Sequence, residues 1–244
     1  MSGRHVSHDA HADERYKVED EFQTPAQTLR RCFTMAVRFA SRELAKKYDQ
    51  FARWYDWLEG IPNLVGLSRL RRLLLRRASG KVLEVAVGTG KNLSYYPLDC
   101  RIVALDLSSE MLKVAQSRAA KLSMRVAFLI ADAENLPLRA NSVDTVVSSL
   151  STCTFPNPVP TLEEMARVCR REGRVLLLEH GRSDHERLGG WQDRNAEQFA
   201  KPLGCHWNRE PLDNVRKAGL TVIRARRFFF GIFHQIEAAP RLSS

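Results

Sequence analysis

From Gly80 onward, short apolar runs alternate with amphipathic stretches. Strand-length runs fall at Lys81–Val87, Arg101–Leu105, Val126–Ile130, Val143–Ser149, Arg174–Glu179, Leu220–Phe228 and Phe233–Ala238. Between them, apolar residues recur at helical spacing in Ser109–Lys121, Thr161–Cys169 and Pro211–Ala218, and Asn92–Tyr96 opens a further helix. Ser108 precedes the first of these as an N-cap. Strands that alternate with helices predict an α/β domain, a doubly wound and mostly parallel sheet of seven strands covered on both faces.

The pattern before Gly80 is different. Met1–Thr24 is rich in histidine and acid and reads as a loosely docked tail. Residues 25–79 read as a helical extension: Pro25–Lys47 carries Leu29, Phe33, Val37 and Leu44 on one face, and Tyr48–Gly60 is aromatic-rich. Leu64–Arg77 is strongly amphipathic, with arginines interleaved among its leucines. The core is assigned to residues 80–240.

Charge follows the same division. The chain has 244 residues and a net charge of +10, of which residues 25–80 contribute +8 and the tail −3. A basic helical segment suits an anionic membrane surface or RNA phosphates, unless it is simply a solvated helix face. Without a sequence-reading module, nucleic acid is the less favoured partner. No apolar run is long enough to cross a membrane and no signal peptide is expected. The five cysteines (Cys32, Cys100, Cys153, Cys169, Cys205) show no CxxC pair and no metal-ligand spacing, so free thiols in a reducing intracellular compartment, and no metal, are expected.

The chemistry concentrates at the strand ends. VLEVAVGTGKN (Val82–Asn92) is a strand that ends in Gly88-Thr89-Gly90 and runs into a helix, where glycine permits a sharp turn and close approach to a ligand. Glu84 lies in its apolar run, and a buried carboxylate needs a partner. Asp106 ends the second strand, where a ribose diol is bound in open sheets, and Asp132-Ala133 follows the third. A dinucleotide fingerprint lacks its third glycine here, and the spacing is not that of a P-loop.

These residues resemble motif I of the class I S-adenosylmethionine (SAM) methyltransferases of the ubiquinone/menaquinone-biosynthesis type, a Rossmann-like fold. The likeness continues through ALDLSSEML, ADAENLPL, SVDTVVSSLSTCTFPNP and EEMARVCRREGRVLLLEHG. One departure is Ala86, where the usual ExGxGxG has glycine. YDQFARWYD, LLLEHGRS and GCHWNRE are similar to a subgroup with mammalian thiol methyltransferases and fungal mitochondrial relatives.

The resemblance implies SAM as cofactor. Ala86, Gly88, Gly90 and Asn92 would form its loop, and Glu84 would hold the amino group or order that loop. Asp106 would take the ribose, with Leu107 and Met111 against the adenine. Asp132 and Ala133 would meet the adenine edge, Ser149 and Leu150 would lie near the methyl group, and Tyr48 and Tyr55 would cap the site. On the acceptor side, His180 is expected either as general base or as a loop-ordering histidine. Cys205, His206 and Trp207 form a second cluster, with too few ligands for a metal. The expected acceptor is small and apolar: a thiol, a quinone-like ring or a lipid amine. An RNA or protein methyltransferase and a non-catalytic assembly factor are the rivals.

Overall fold

The computed structural model describes residues 46, 48, 49 and 66–240. The proposed tail, the helices over 25–47 and 48–60, and Tyr55 lie outside the described residues, apart from those three positions.

Helix α1 (Leu67–Leu75) leads into β1 (Lys81–Val85), β2 (Arg101–Asp106), α2 (Ser109–Lys121), β3 (Val126–Ile130) and β4 (Val143–Ser149). Helix α3 (Pro158–Val168), β5 (Cys169–His180), α4 (Glu186–Leu203), α5 (Pro211–Lys217), β6 (Thr221–Phe228) and β7 (Phe233–Ala239) complete the described chain. The seven strands form one sheet in the order β3-β2-β1-β4-β5-β7-β6. The first five are parallel, whereas β7 runs antiparallel to both β5 and β6. The doubly wound, mostly parallel sheet expected from the pattern is the observed architecture.

Two apolar layers hold it. Leu83, Val85, Val146, Leu177 and Met165 belong to one layer, while Val82, Ile102, Leu112, Leu176 and α1's Leu67, Leu70 and Leu74 belong to the other. Successive strand residues therefore feed opposite layers, which is why the central runs are continuously apolar.

Besides shifts of one to three residues at other element ends, three larger departures from the pattern stand out. Asn92–Tyr96 is not an α-helix: a single 3-10 turn, Leu93–Tyr95, stands there because Pro97 follows directly. β5 begins at Cys169, five residues early, through the exposed polar segment Arg170–Gly173 that the apolar run does not reveal. Helix α4 was missed altogether. Gly189-Gly190 breaks its periodicity, and Gly189 is required because a Cβ there would meet the Ser183 carbonyl oxygen at 2.8 Å.

β6 is the free edge of the sheet next to β7, and most of its residues, Arg224, Arg226 and Arg227 among them, are exposed.

Candidate active site

The carboxyl ends of β1, β2 and β4 open onto a cleft with about 840 Å³ of empty space, the solvent at its mouth included. Of the residues expected there, Tyr48, Glu84, Ala86, Gly88, Asn92, Asp106, Leu107, Met111, Ala133, Ser149 and Leu150 line it. The backbone N–H of Gly88 donates to Asp106 Oδ2 at 2.8 Å and that of Ser108 donates to Oδ1 at 2.9 Å. Each carboxylate oxygen keeps a second lone pair, so a diol can still be taken. Burial pushes the Asp106 carboxyl above the usual range.

Glu84 is fully enclosed. Asn92 Nδ2 donates to its Oε1 at 2.8 Å and the Tyr96 hydroxyl to its Oε2 at 2.9 Å. Burial outweighs these bonds and raises its pKa to about 7. Its first structural task is thus to order the glycine loop.

The two loop glycines do different work. Both have positive φ, but a Cβ on Gly88 would meet nothing within 4 Å, so backbone is open to a ligand there. Gly90 is absent from the cleft lining: a Cβ on it would meet Leu93 Cδ1 at 2.9 Å and Ala115 Cα at 3.2 Å. It seats the loop on α2. Ala86 sits at φ 53 in the left-handed region, where an L-residue costs roughly 1–2 kcal/mol relative to glycine.

Asp132 also stands outside the lining, its Oδ1 accepting from the Glu134 backbone N–H at 3.0 Å. Arg71 of α1, read as one of a solvated or phosphate-binding row, is buried and lines the cleft, and its charge favours ionised Glu84. Helical spacing gives the signal for this, since Arg71 lies on the same face as the buried Leu67, Leu74 and Leu75. Tyr96 could have been found from the need of Glu84 for a donor. Ser149 Oγ is buried at the cleft without a hydrogen-bond partner among the described residues.

The acceptor-side residues assemble elsewhere. His180, Cys205, His206 and Trp207 are absent from the lining. Trp207 stacks on α4, 3.9 Å from the Phe199 ring and 4.9 Å from that of Trp191, and its Nε1 donates to the Gln192 carbonyl. The aromatic face of the missed helix draws it away. His206 donates its backbone N–H to the Cys153 carbonyl at 2.9 Å.

His180 Nε2 lies 3.3 Å from Cys205 Sγ, and Cys205 Sγ lies 3.6 Å from Cys153 Sγ. The ligating atoms of Cys153, His180 and Cys205 all lie within 4.8 Å of one another. Sequence spacing gave no hint of this group, because three separate chain segments supply it. The Cys153 thiol, followed by His180, holds the Cys205 thiol well below its ordinary range. Tyr48 bridges the two regions: it lines the cleft, and both sulfurs help keep its hydroxyl protonated, though burial is the larger cause.

Glu179 is a further residue missed by the sequence reading. It is buried, accepts from Ser148 Oγ at 2.7 Å, and takes the backbone N–H groups of Ser151 and Thr152 at 3.0 and 3.1 Å.

This fold and this cleft define a class I SAM-dependent methyltransferase. The methyltransferase domain family matches residues 83–177, and the chain belongs to it. It is 33% identical over 170 residues to a phosphatidylethanolamine N-methyltransferase of Cereibacter sphaeroides, which covers 67% of this chain and 82% of that one. It is 27% identical over 211 residues to the mitochondrial methyltransferase OMS1 of Saccharomyces cerevisiae, covering 78% of this chain and only 45% of the relative. Among solved structures, a SAM-dependent methyltransferase of Thermotoga maritima, described as a possible histamine N-methyltransferase, superposes with a TM-score of 0.64 at 23% identity. That superposition covers 81% of this chain and 100% of the other.

Proposed function

We propose that the protein transfers the methyl group of SAM to a small apolar acceptor, with a lipid amine, a thiol and a quinone-like ring as the acceptor classes. The observation that carries this reading is a single cleft lined both by polar residues that suit the cofactor (Glu84, Asn92, Asp106) and by apolar residues beyond those expected at the adenine (Leu150, Phe155). The phosphatidylethanolamine-methylating relative supports an acceptor of this kind.

When bound, SAM supplies an activated methyl group on a sulfonium, so the protein has to position reactants and exclude water. Asp106 and the open backbone at Gly88 orient the nucleoside side. Ionised Glu84 favours the ligand's ammonium group, and Ser149 Oγ is left to meet a polar atom near the methyl position. Leu150 and Phe155 line the acceptor end of the cleft.

The site is proposed to work in a reducing intracellular compartment, with reversible attachment to anionic membranes, where an apolar acceptor concentrates. The exposed Arg69, Arg72, Arg76 and Leu73 of the α1 region support that attachment. No helix among the described residues is long and apolar enough to cross a membrane.

Labelled SAM presented with phosphatidylethanolamine vesicles, small thiols and quinols tests the activity. Label should enter one of these and be lost in Asp106→Ala; label entering only RNA or protein overturns the reading. Flotation should carry the protein with anionic vesicles at low salt and release it as salt rises. Equal flotation with neutral vesicles defeats the electrostatic attachment.

A further inference from the structure

We propose that Cys153, His180 and Cys205 form a site for a thiolate-preferring divalent cation of the zinc class, with three protein ligands and a fourth position left to water or an exogenous ligand. Among the described residues, these three form a single group of this kind. A tetrahedral zinc ion, with Zn–S about 2.3 Å and Zn–N about 2.0–2.1 Å, separates two sulfurs by about 3.8 Å and a sulfur from a nitrogen by about 3.6 Å. The observed separations are 3.6 Å between the sulfurs and 3.3 Å from Cys205 Sγ to His180 Nε2. The third pair, Cys153 and His180, lies within 4.8 Å, so these two separations need a few tenths of an ångström of relaxation and the third up to about 1.2 Å.

The segments that supply the ligands are pinned to one another. Besides the bond from His206 to the Cys153 carbonyl, the Arg209 guanidinium donates to the carbonyls of Thr152 and Phe155 at 2.7 and 2.8 Å. Glu179 fixes the same loop through the Ser151 and Thr152 N–H groups, and it immediately precedes His180 on β5. A preformed donor set of this kind lowers the cost of ordering ligands around the ion.

Charge balance favours the assignment. Two thiolates and a neutral imidazole around a 2+ ion sum to zero, which suits a site whose Cys153 is buried. Cys205 and His180 retain partial exposure, which gives the ion a way in. Binding forms two metal–sulfur bonds and one metal–nitrogen bond. It releases to solvent the Cys153 proton and any proton held on Cys205 or His180 Nε2. No oxidant or reductant takes part. Three protein ligands with an open fourth position is the arrangement of catalytic rather than structural zinc sites.

The test loads the full-length protein with Co²⁺ and reads the thiolate-to-metal charge-transfer band and the visible bands of tetrahedral cobalt. We expect about one ion per chain. Cys153→Ser, Cys205→Ser and His180→Gln should each lower metal retention at least about tenfold, while Cys100→Ser leaves it unchanged. The wild-type chain gives a second measurement should a variant fail to fold. Zn²⁺ should protect Cys153 and Cys205, but not Cys100, from alkylation mapped by mass spectrometry. Calorimetric titration of SAM, run in parallel, reports the cofactor cleft separately. Cobalt spectra that persist unchanged in Cys205→Ser overturn the proposal. So does a wild-type chain that binds SAM yet retains no metal, or one that gives only a Cys153–Cys205 disulfide with the mass of two hydrogens lost.

Discussion

Two loops leave the same edge of the sheet, after β1 and after β4, and both are pinned by buried carboxylates. The first, Ala86–Asn92, is held by Glu84 from its own strand and Asp106 from the neighbouring one. The second, beginning at Leu150, is held by Glu179 from the adjacent β5. The first carries glycines where backbone must turn left-handed and stay open, so it is visible in the sequence. The second makes its turn at Leu150, with φ 56, and no residue type marks it. A shared device thus supports two regions of very different legibility, one for the cofactor and one for the Cys153 group.

The largest effect is expected on the second loop. Glu179→Ala leaves two buried N–H groups without an acceptor, at roughly 1–3 kcal/mol each. A stability loss of about 3 kcal/mol in urea unfolding is the expected result. A loss below about 1 kcal/mol would show that this loop does not depend on the carboxylate as the first one does.

The first loop should respond to pH. Glu84 has a folded pKa raised from 4.5 to about 7, so the native state holds the proton more tightly than the unfolded chain. Its contribution to stability is fully present below about pH 4.5 and is lost as pH rises through about 7, a change of about 3 kcal/mol. Glu84→Gln should abolish that slope. The variant is tolerated because Asn92 Oδ1 has no hydrogen-bond partner among the described residues, and an amide flip presents it to the new NH₂ group. Unfolding of wild type and variant across this window makes the comparison. SAM should flatten the wild-type slope, because its ammonium group favours the ionised form. Parallel curves for the two proteins would remove Glu84 as the titrating group.

Asp106→Ala comes next. It removes two backbone acceptor contacts together with the expected ribose contacts, and SAM affinity should fall at least tenfold, about 1.4 kcal/mol or more. Metal retention by the Cys153 group should be unaffected. Unchanged SAM affinity in a folded variant would uncouple Asp106 from the cleft.

The smallest change is Ala86→Gly. It relieves the left-handed alanine but adds unfolded-chain entropy, for a net gain of about 0.5–1 kcal/mol. Calorimetry should show a Tm rise of about 1–4 °C. A lower Tm would mean that the Ala86 methyl packs productively.

Much of the fold was legible because parallel strands buried on both faces leave continuous apolar runs. α2 was legible to the residue, since Ser108 caps it and its Oγ accepts from the Met111 N–H at 3.1 Å. The cofactor wall was equally readable, for glycines and strand-end acids are rare in apolar runs. Helix α4 was not, because Gly189 answers to the close approach of the Ser183 carbonyl rather than to helical propensity. The Cys153 group was not either. Its members stand 27 and 25 positions apart along the chain, and only the pairing of β4 with β5 and the return of the chain after α4 bring them together. Gly88 and Gly90 look identical in the sequence, yet one faces the open cleft and the other a helix.

The arginine-bearing edge strand β6 has a consequence for the whole particle. An incoming strand laid antiparallel along it from a second copy would, in the registers that set Arg224 or Arg226 against its counterpart, bring guanidinium groups opposite one another at a cost of like-charge repulsion. Templated strand addition at this edge is thereby disfavoured in those registers.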